Sequence, residues 1–545
     1  MFLYRIFLEL LLSLILSILS QYIMAYISMT TSLGPWIEIS TVLLSIILFR
    51  LFNFNKFDKY NNKSISLITA CSGISGIIAT AVGFSMPVLY FIDSKVFNLW
   101  FANPWMFCFY IGFLTLSAGS LGLMGTNLFY NSLILEERLK FAIGDIVYSM
   151  IYGNNILYNI ILFLSGSISI FVFFILQTLK FFPKKMLIFK GYIFNILNFP
   201  PIELDFDLLP IFLCTGFIVG PIVSSVFFGL IFKYLIIVPL YGIYPEIVKY
   251  LNLDSVLLVN FNEFLNTFVT GILLFSIICG LYKFIVLAFL KFDYYKPYKL
   301  NVRKNFNLIE FVSILILNCV FFSYFEFSLL SQVYIIIFTF LSIHQLLIIA
   351  GKISIAPLGR YATLIMIPGL LIFGFDSVQT TLVVAFAEIA SGVACDSMFS
   401  RKLACNASID QKEMVFFNWM GLLISSLSIG LVFWLLISTF GLGESSCLNV
   451  ARARSRAMLI NLSMENFDLK VLFLGCFFGL GFNFLGINSA LLLAGILMPT
   501  NAAIMLILGG FIACFFKNKE RYYPLCSGAF TTNSLFIFFK TLFKI

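Results

Sequence analysis

Val383–Phe399 reads VVAFAEIASGVACDSMF, and this stretch decides the class of fold. With the six residues before it, it reaches the roughly 20 residues that cross the hydrocarbon core of a bilayer as a helix. Ala, Ser and Gly dominate it, and small residues let membrane helices approach closely. It also holds two carboxylates, Glu388 and Asp396. Each costs roughly 2.5–3.5 kcal/mol at a helix centre, so each needs a reason to be there. The stretch therefore reads as a membrane helix covered by other helices.

Comparable apolar runs recur along all 545 residues. Apolar residues make up 61% of the chain, charged ones 11%, and the mean hydropathy is +1.03, which leaves too little charge for the surface of a water-soluble domain. The expected fold is all-α, a polytopic transmembrane bundle of roughly 14–17 spans with broken or re-entrant helices. The first run contains Glu9 and is too long for a signal peptide, so it reads as the first span. Segment 139–153 is short enough to be re-entrant or interfacial, and 181–207 reads as a loop.

The formal charge of +9 is no nucleic-acid footprint, because the basic residues sit in short groups between apolar runs, as in cytoplasmic loops. Such groups are Arg50 to Lys63, Arg401, Lys402 and Lys412, and Lys517 to Arg521. The longest, at 291–308, divides the chain into an N-terminal repeat, 1–290, and a C-terminal repeat, 309–545. The two sides echo each other. Leu33-Gly34-Pro35 and Ala356-Pro357-Leu358-Gly359 each precede an apolar run. Small-residue segments follow at Ala70–Gly76 and Ala390–Ala394, then Met106–Ser120 and Met414–Ser428. Gly/Pro-interrupted segments at matching places in two halves point to the binding site of a secondary transporter.

The candidate functional residues are charges next to these features. Lys352 and Arg360 flank the Pro357–Gly359 break and suit a substrate carboxylate. Glu388 and Asp396 are eight residues apart on one helix, two turns along and about 80° around the axis, so they can line one cavity at different depths. A proton-coupling role and a structural ion pair, such as Asp396 with Lys402 at the helix end, both stand at this point. Glu38 suits a helix start, and the lone histidine, His344, reads as a core group. The eleven cysteines are scattered without a CxxC pair, so no metal site is expected. No phosphate-binding loop and no catalytic constellation is present, so neither a nucleotide-driven pump nor an enzyme is indicated, and no cofactor is expected.

Several stretches resemble the oligopeptide transporter (OPT) family, which includes the yellow-stripe-like metal-chelate carriers. In Ala387–Lys412, AEIASGVACDSMFSRKLACNASIDQK, residues Asp396, Met398 and Lys402 match that family's Gly-Asp then Met-Gln-Asp-Leu-Lys-Thr-Gly pattern. Cys395, Phe399, Ser400 and Ala404 depart from it. Pro357 and Gly359 match the Pro-x-Ser-Gly-Met signature, with Leu358 and Arg360 replacing Ser and Met. Asn61-Asn62 with Thr69-Ala70, Lys140–Gly144, and Leu497-Met498-Pro499 with Gly509-Gly510 resemble further motifs in the family's order. The resemblance implies two related helical halves that symport oligopeptides or peptide-like metal chelates with protons. The expected partners are the lipid bilayer, such a substrate and protons. Nucleic acid is not expected, a homo-oligomer is compatible, and the expected location is a bacterial inner membrane. A non-transporting scaffold derived from a transporter fold is the alternative reading.

Overall fold

A computed structural model describes residues 2–31, 38–52, 59–139, 141–152, 156–178, 185–191, 202–207, 210–243, 308–353, 358–443, 448, 450–461, 469–485, 500–517 and 519–542, with scattered residues in 261–275 and 492–496. The N-terminal helices are α1 (Phe2–Thr31), α2 (Glu38–Phe52), α3 (Lys59–Ser85), α4 (Val88–Ile92), α5 (Ser94–Ala102), α6 (Pro104–Tyr130), α7 (Ala142–Tyr152) and α8 (Ile156–Thr178). Strands β1 (Lys185–Gly191) and β2 (Ile202–Asp207) come next, then α9 (Pro210–Val219) and α10 (Ser224–Phe232). The later helices are α11 (Leu308–Tyr324), α12 (Leu329–Ile353), α13 (Leu358–Phe373), α14 (Ser377–Ala407), α15 (Gln411–Phe440), α16 (Ala451–Asn461), α17 (Leu469–Phe484), α18 (Thr500–Cys514) and α19 (Tyr523–Leu542).

The protein is an all-α, multi-pass membrane bundle. Eight helices among the described residues are long and apolar enough to cross a bilayer, and five shorter apolar helices accompany them. One stretch expected as loop differs, because β1 and β2 form an antiparallel hairpin with Lys185 opposite Asp207 and Lys190 opposite Glu203. Opposite charges facing each other across the strands favour that register. The proposed divider at 291–308 lies outside the described residues apart from its last position, as do Leu33–Pro35 and Pro357.

Local chemistry sets the ends of the central helices. Asn103 caps α6, whose first residue is Pro104, where a missing N–H costs nothing. The Asp376 side chain accepts from the Gln379 N–H at 2.6 Å and starts α14, and Ser408 closes that helix in the left-handed conformation at φ 55°. Asp410 then caps α15. Helix α14 runs eight residues past Phe399, where the quoted apolar stretch ended.

Helices α3, α6, α14 and α15 pack against one another and form the centre. They contain the segments that echo each other in sequence. The most apolar window of α14, like that of α3 with α4, is entirely covered by protein. Small residues make this possible: a Cβ on Gly122 of α6 would overlap the Ala390 carbonyl of α14, and one on Gly421 of α15 the Cys71 carbonyl of α3. Thr126 Oγ1 donates to the Ala394 carbonyl at 3.1 Å and Ser75 Oγ to the Gly421 carbonyl at 3.2 Å, which ties the same seams. Gly73 faces Asp396 while Ile77 faces Gly392, so α3 and α14 run antiparallel.

Outer helices pair across the two ends of the chain in nested order. A Cβ on Gly166 of α8 would overlap the Leu525 carbonyl of α19, and one on Gly528 of α19 the Phe163 carbonyl of α8. Gly216 of α9 and Gly509 of α18 meet in the same reciprocal way, and two further crossings join Gly229 to Gly495 and Gly271 to Gly475. Backbones this close favour dispersion and Cα–H···O contacts. On the outside, Ile309, Val312, Ile316 and Val320 of α11 are exposed at helical spacing and form a face for lipid.

The two ends of the bundle differ. At one, Trp100, Trp105, Tyr110, Tyr324 and Trp434 gather, and Trp434 Nε1 donates to the Phe101 carbonyl at 3.2 Å. At the other, Lys63 pairs with Glu413 at 2.5 Å and Asn406 bonds Asp145 at 2.6 Å. The basic loops around Lys63 and Arg401–Lys412 therefore share one end.

Candidate functional site

Glu388 lies about midway along α14 and is wholly buried. A carboxylate there requires counter-charge, and α16 brings it. Arg456 Nη1 donates to Glu388 Oε2 at 2.9 Å, and Arg456 Nη2 donates to Glu388 Oε1. This two-pronged geometry is the strongest that a guanidinium and a carboxylate make. Arg456 Nη1 also donates to the Phe84 carbonyl near the end of α3, at 3.2 Å. One turn earlier on α16, Arg452 Nη2 lies 3.6 Å from Glu388 Oε1, and its guanidinium stacks 3.9 Å above the Phe84 ring. Arg456 is buried while Arg452 is part-exposed. Residues i and i+4 share a helix face, so one short helix aims both arginines at one carboxylate.

The break carrying Gly359 comes to the same place. Helix α13 starts at Leu358, packed beside Gly392 at the middle of α14. A Cβ on Gly359 would overlap the Arg452 guanidinium and fall 2.5 Å from Arg456 Nη2, so the absence of a side chain makes room for both arginines. Two helices, α13 and α16, thus come together beside Glu388 inside the bundle. The Val450 N–H, just before α16, donates to the Met29 carbonyl near the end of α1 at 2.9 Å.

The other residues singled out in the sequence are spread along the same axis. Asp396, two turns from Glu388 toward the basic end, is buried against Gly73 of α3. Lys402 turns toward α7, its stem next to Gly144, and makes no ion pair with Asp396 among the described residues. Lys352 lies in the last turn of α12 and Arg360 in the first turn of α13, and their side chains are outside the described set, as is Pro357. His344 packs 4.7 Å from the Phe129 ring, as a core residue does. The described residues contain no cluster of metal-ligating side chains.

Sequence reading missed α16. Its signal was Ala451-Arg-Ala-Arg-Ser-Arg456, three arginines set among small residues between two apolar spans. No protein-family model matches the chain, and no curated protein matches it.

Proposed function

We propose that the protein is a secondary active transporter, a proton-coupled symporter of oligopeptides or peptide-like metal chelates as the OPT resemblance implies. The observation that carries this reading is the Glu388–Arg456 pair near the middle of a helix whose most apolar window is wholly covered by protein. Replacing such a pair by apolar residues of similar size is often neutral or stabilising, so a passive scaffold gains little by keeping it. A transporter uses it, because a charge pair that opens and closes can gate a path. The meeting of α13 and α16 beside it fits the interrupted helices that line transporter sites at mid-membrane.

In this reading the Arg452–Arg456–Glu388 cluster is the gate, and Gly359 leaves room for its movement. The break at Pro357 and Gly359, with Lys352 and Arg360, contributes to holding a substrate carboxylate. Asp396 carries the coupled proton, with Lys402 near the inner end of the helix. The basic end of the bundle faces the cytoplasm and the aromatic end faces outward, following the charge bias of membrane loops.

The test is uptake into proteoliposomes of labelled di- and tripeptides and of metal–chelate complexes, with and without an inward proton gradient. Gradient-driven accumulation is expected in the wild type and is expected to be lost in Arg456→Gln. Failure of the wild type to accumulate any member of either class would remove the symport assignment.

A further inference from the structure

The one arginine of α14, Arg401, is buried in a way that the gate does not explain. It lies six residues before the end of the helix with 5% of its surface exposed. Its Nη2 donates to Asn127 Oδ1 of α6, and its guanidinium sits 5.0 Å from the Tyr130 ring. The Arg401 carbonyl accepts from Gln411 Nε2 at 3.3 Å. Among the described residues no carboxylate reaches it as an ion pair, and its Nε is buried without a hydrogen-bond partner. Gln411 Oε1 is likewise buried and unpartnered. The nearest acid along this network is Glu310 of α11, held one residue away because Asn127 Nδ2 donates to Glu310 Oε1 at 3.2 Å.

A guanidinium removed from water and facing only a neutral amide and a ring is costly, since several kcal/mol of hydration per ion goes uncompensated. A basic residue that merely caps its helix or snorkels to the interface would keep its head in water. Arg401 does neither. Its Nε–H and Nη2–H lie on one edge and match the two oxygens of a carboxylate. Asn127 Oδ1 occupies part of that edge.

We propose that Arg401 is the anion-binding residue of a separate site near the basic end of α14, built to take a carboxylate. The ligand oxygens bridge Nε and Nη2 and displace Asn127, whose amide stays with Glu310. A single positive charge with Glu310 close behind favours a monoanion over a doubly charged phosphate. Binding here does not depend on transport, so it can be measured whether or not the symport reading holds.

The experiment follows the thermal unfolding midpoint of the purified full chain in detergent, titrated with sodium acetate at constant ionic strength. Acetamide and inorganic phosphate serve as comparison probes. Acetate is expected to raise the wild-type midpoint saturably, acetamide to leave it unchanged, and phosphate to shift it less than acetate. Arg401→Lys keeps the charge but loses the planar edge, and its apparent affinity for acetate is expected to fall at least tenfold. Glu310→Gln removes the like charge behind the site and is expected to tighten acetate binding, a change opposite in sign to any general loss of structure. Arg401→Gln is expected to abolish the response. No midpoint shift with acetate in the wild type, an unchanged affinity in Arg401→Lys, a weaker affinity in Glu310→Gln, or a larger shift with phosphate would each overturn the assignment.

Discussion

Gly73 and Asp396 lie in contact across the antiparallel α3–α14 seam: a Cβ on Gly73 would come within 2.9 Å of Asp396 Oδ2 and 3.2 Å of Oδ1. The carboxylate thus rests on bare backbone, and its short side chain has little room to give way. Gly73→Ala is expected to destabilise the protein by about 1–3 kcal/mol through overpacking. Thermal unfolding in detergent checks the loss. Gly73→Ala combined with Asp396→Ala should recover most of it, and failure to recover would place the strain elsewhere.

The Glu388–Arg456 pair should behave as one energetic unit. Glu388→Gln leaves the buried Arg456 without its carboxylate, with an expected cost of about 3–5 kcal/mol, while Arg456→Met leaves Glu388 only the longer contact with part-exposed Arg452 and is expected to cost less. The double variant removes both charges and is expected to cost clearly less than the sum of the two. A double-mutant cycle on unfolding midpoints measures this, and simple additivity would show that the two side chains are not coupled.

Asp396→Asn tests the coupling role directly. Under the proposed mechanism it should abolish accumulation driven by a proton gradient while leaving substrate exchange at equal pH largely intact. Accumulation that persists in the variant would assign Asp396 to packing alone.

Membrane orientation can be read from two exposed positions at opposite ends. Cys405 is exposed near the basic end, and Trp105 is 86% exposed at the aromatic end. A membrane-impermeant maleimide is expected to label Cys405 only in inside-out vesicles, with Cys405→Ser as the control. A cysteine placed by Trp105→Cys should be labelled from the outside of intact cells. Labelling of both from the same side would contradict the single basic face.

Most membrane helices were legible because lipid imposes a plain rule on the residues facing it. The rule stops applying where protein replaces lipid as the surroundings. Helix α16 holds three arginines in 11 residues, so hydropathy passes over it, yet its neighbours supply the carboxylate and carbonyl that make Arg452 and Arg456 tolerable. Helix α14 likewise outruns its apolar stretch, because beyond it Arg401 faces Asn127 and Tyr130 of α6 and not lipid. Glu388 and Gly359 were found from sequence because a charge in an apolar run and a Pro/Gly break are local signals. Their partner Arg456 lies 68 positions from Glu388, and nothing local joins the two.

The nested glycine crossings bear on how the chain is made. Gly166 in α8 and Gly528 in α19 fit each other's backbones, so the face of α8 that carries Gly166 enters the bilayer long before its counterpart exists. The α9–α18 crossing is made and completed inside it, in the reverse of the order of synthesis. Early helices must wait as loosely held intermediates, shielded by lipid or by an insertion factor, until the late ones arrive and close the pairs from the inside outward. A chain stopped before Tyr523 is therefore expected to insert its early helices yet be cleared by membrane proteases, and Gly528→Leu in the full chain should shorten its lifetime in pulse–chase labelling. Unchanged lifetimes in both would mean that α8 needs no late partner.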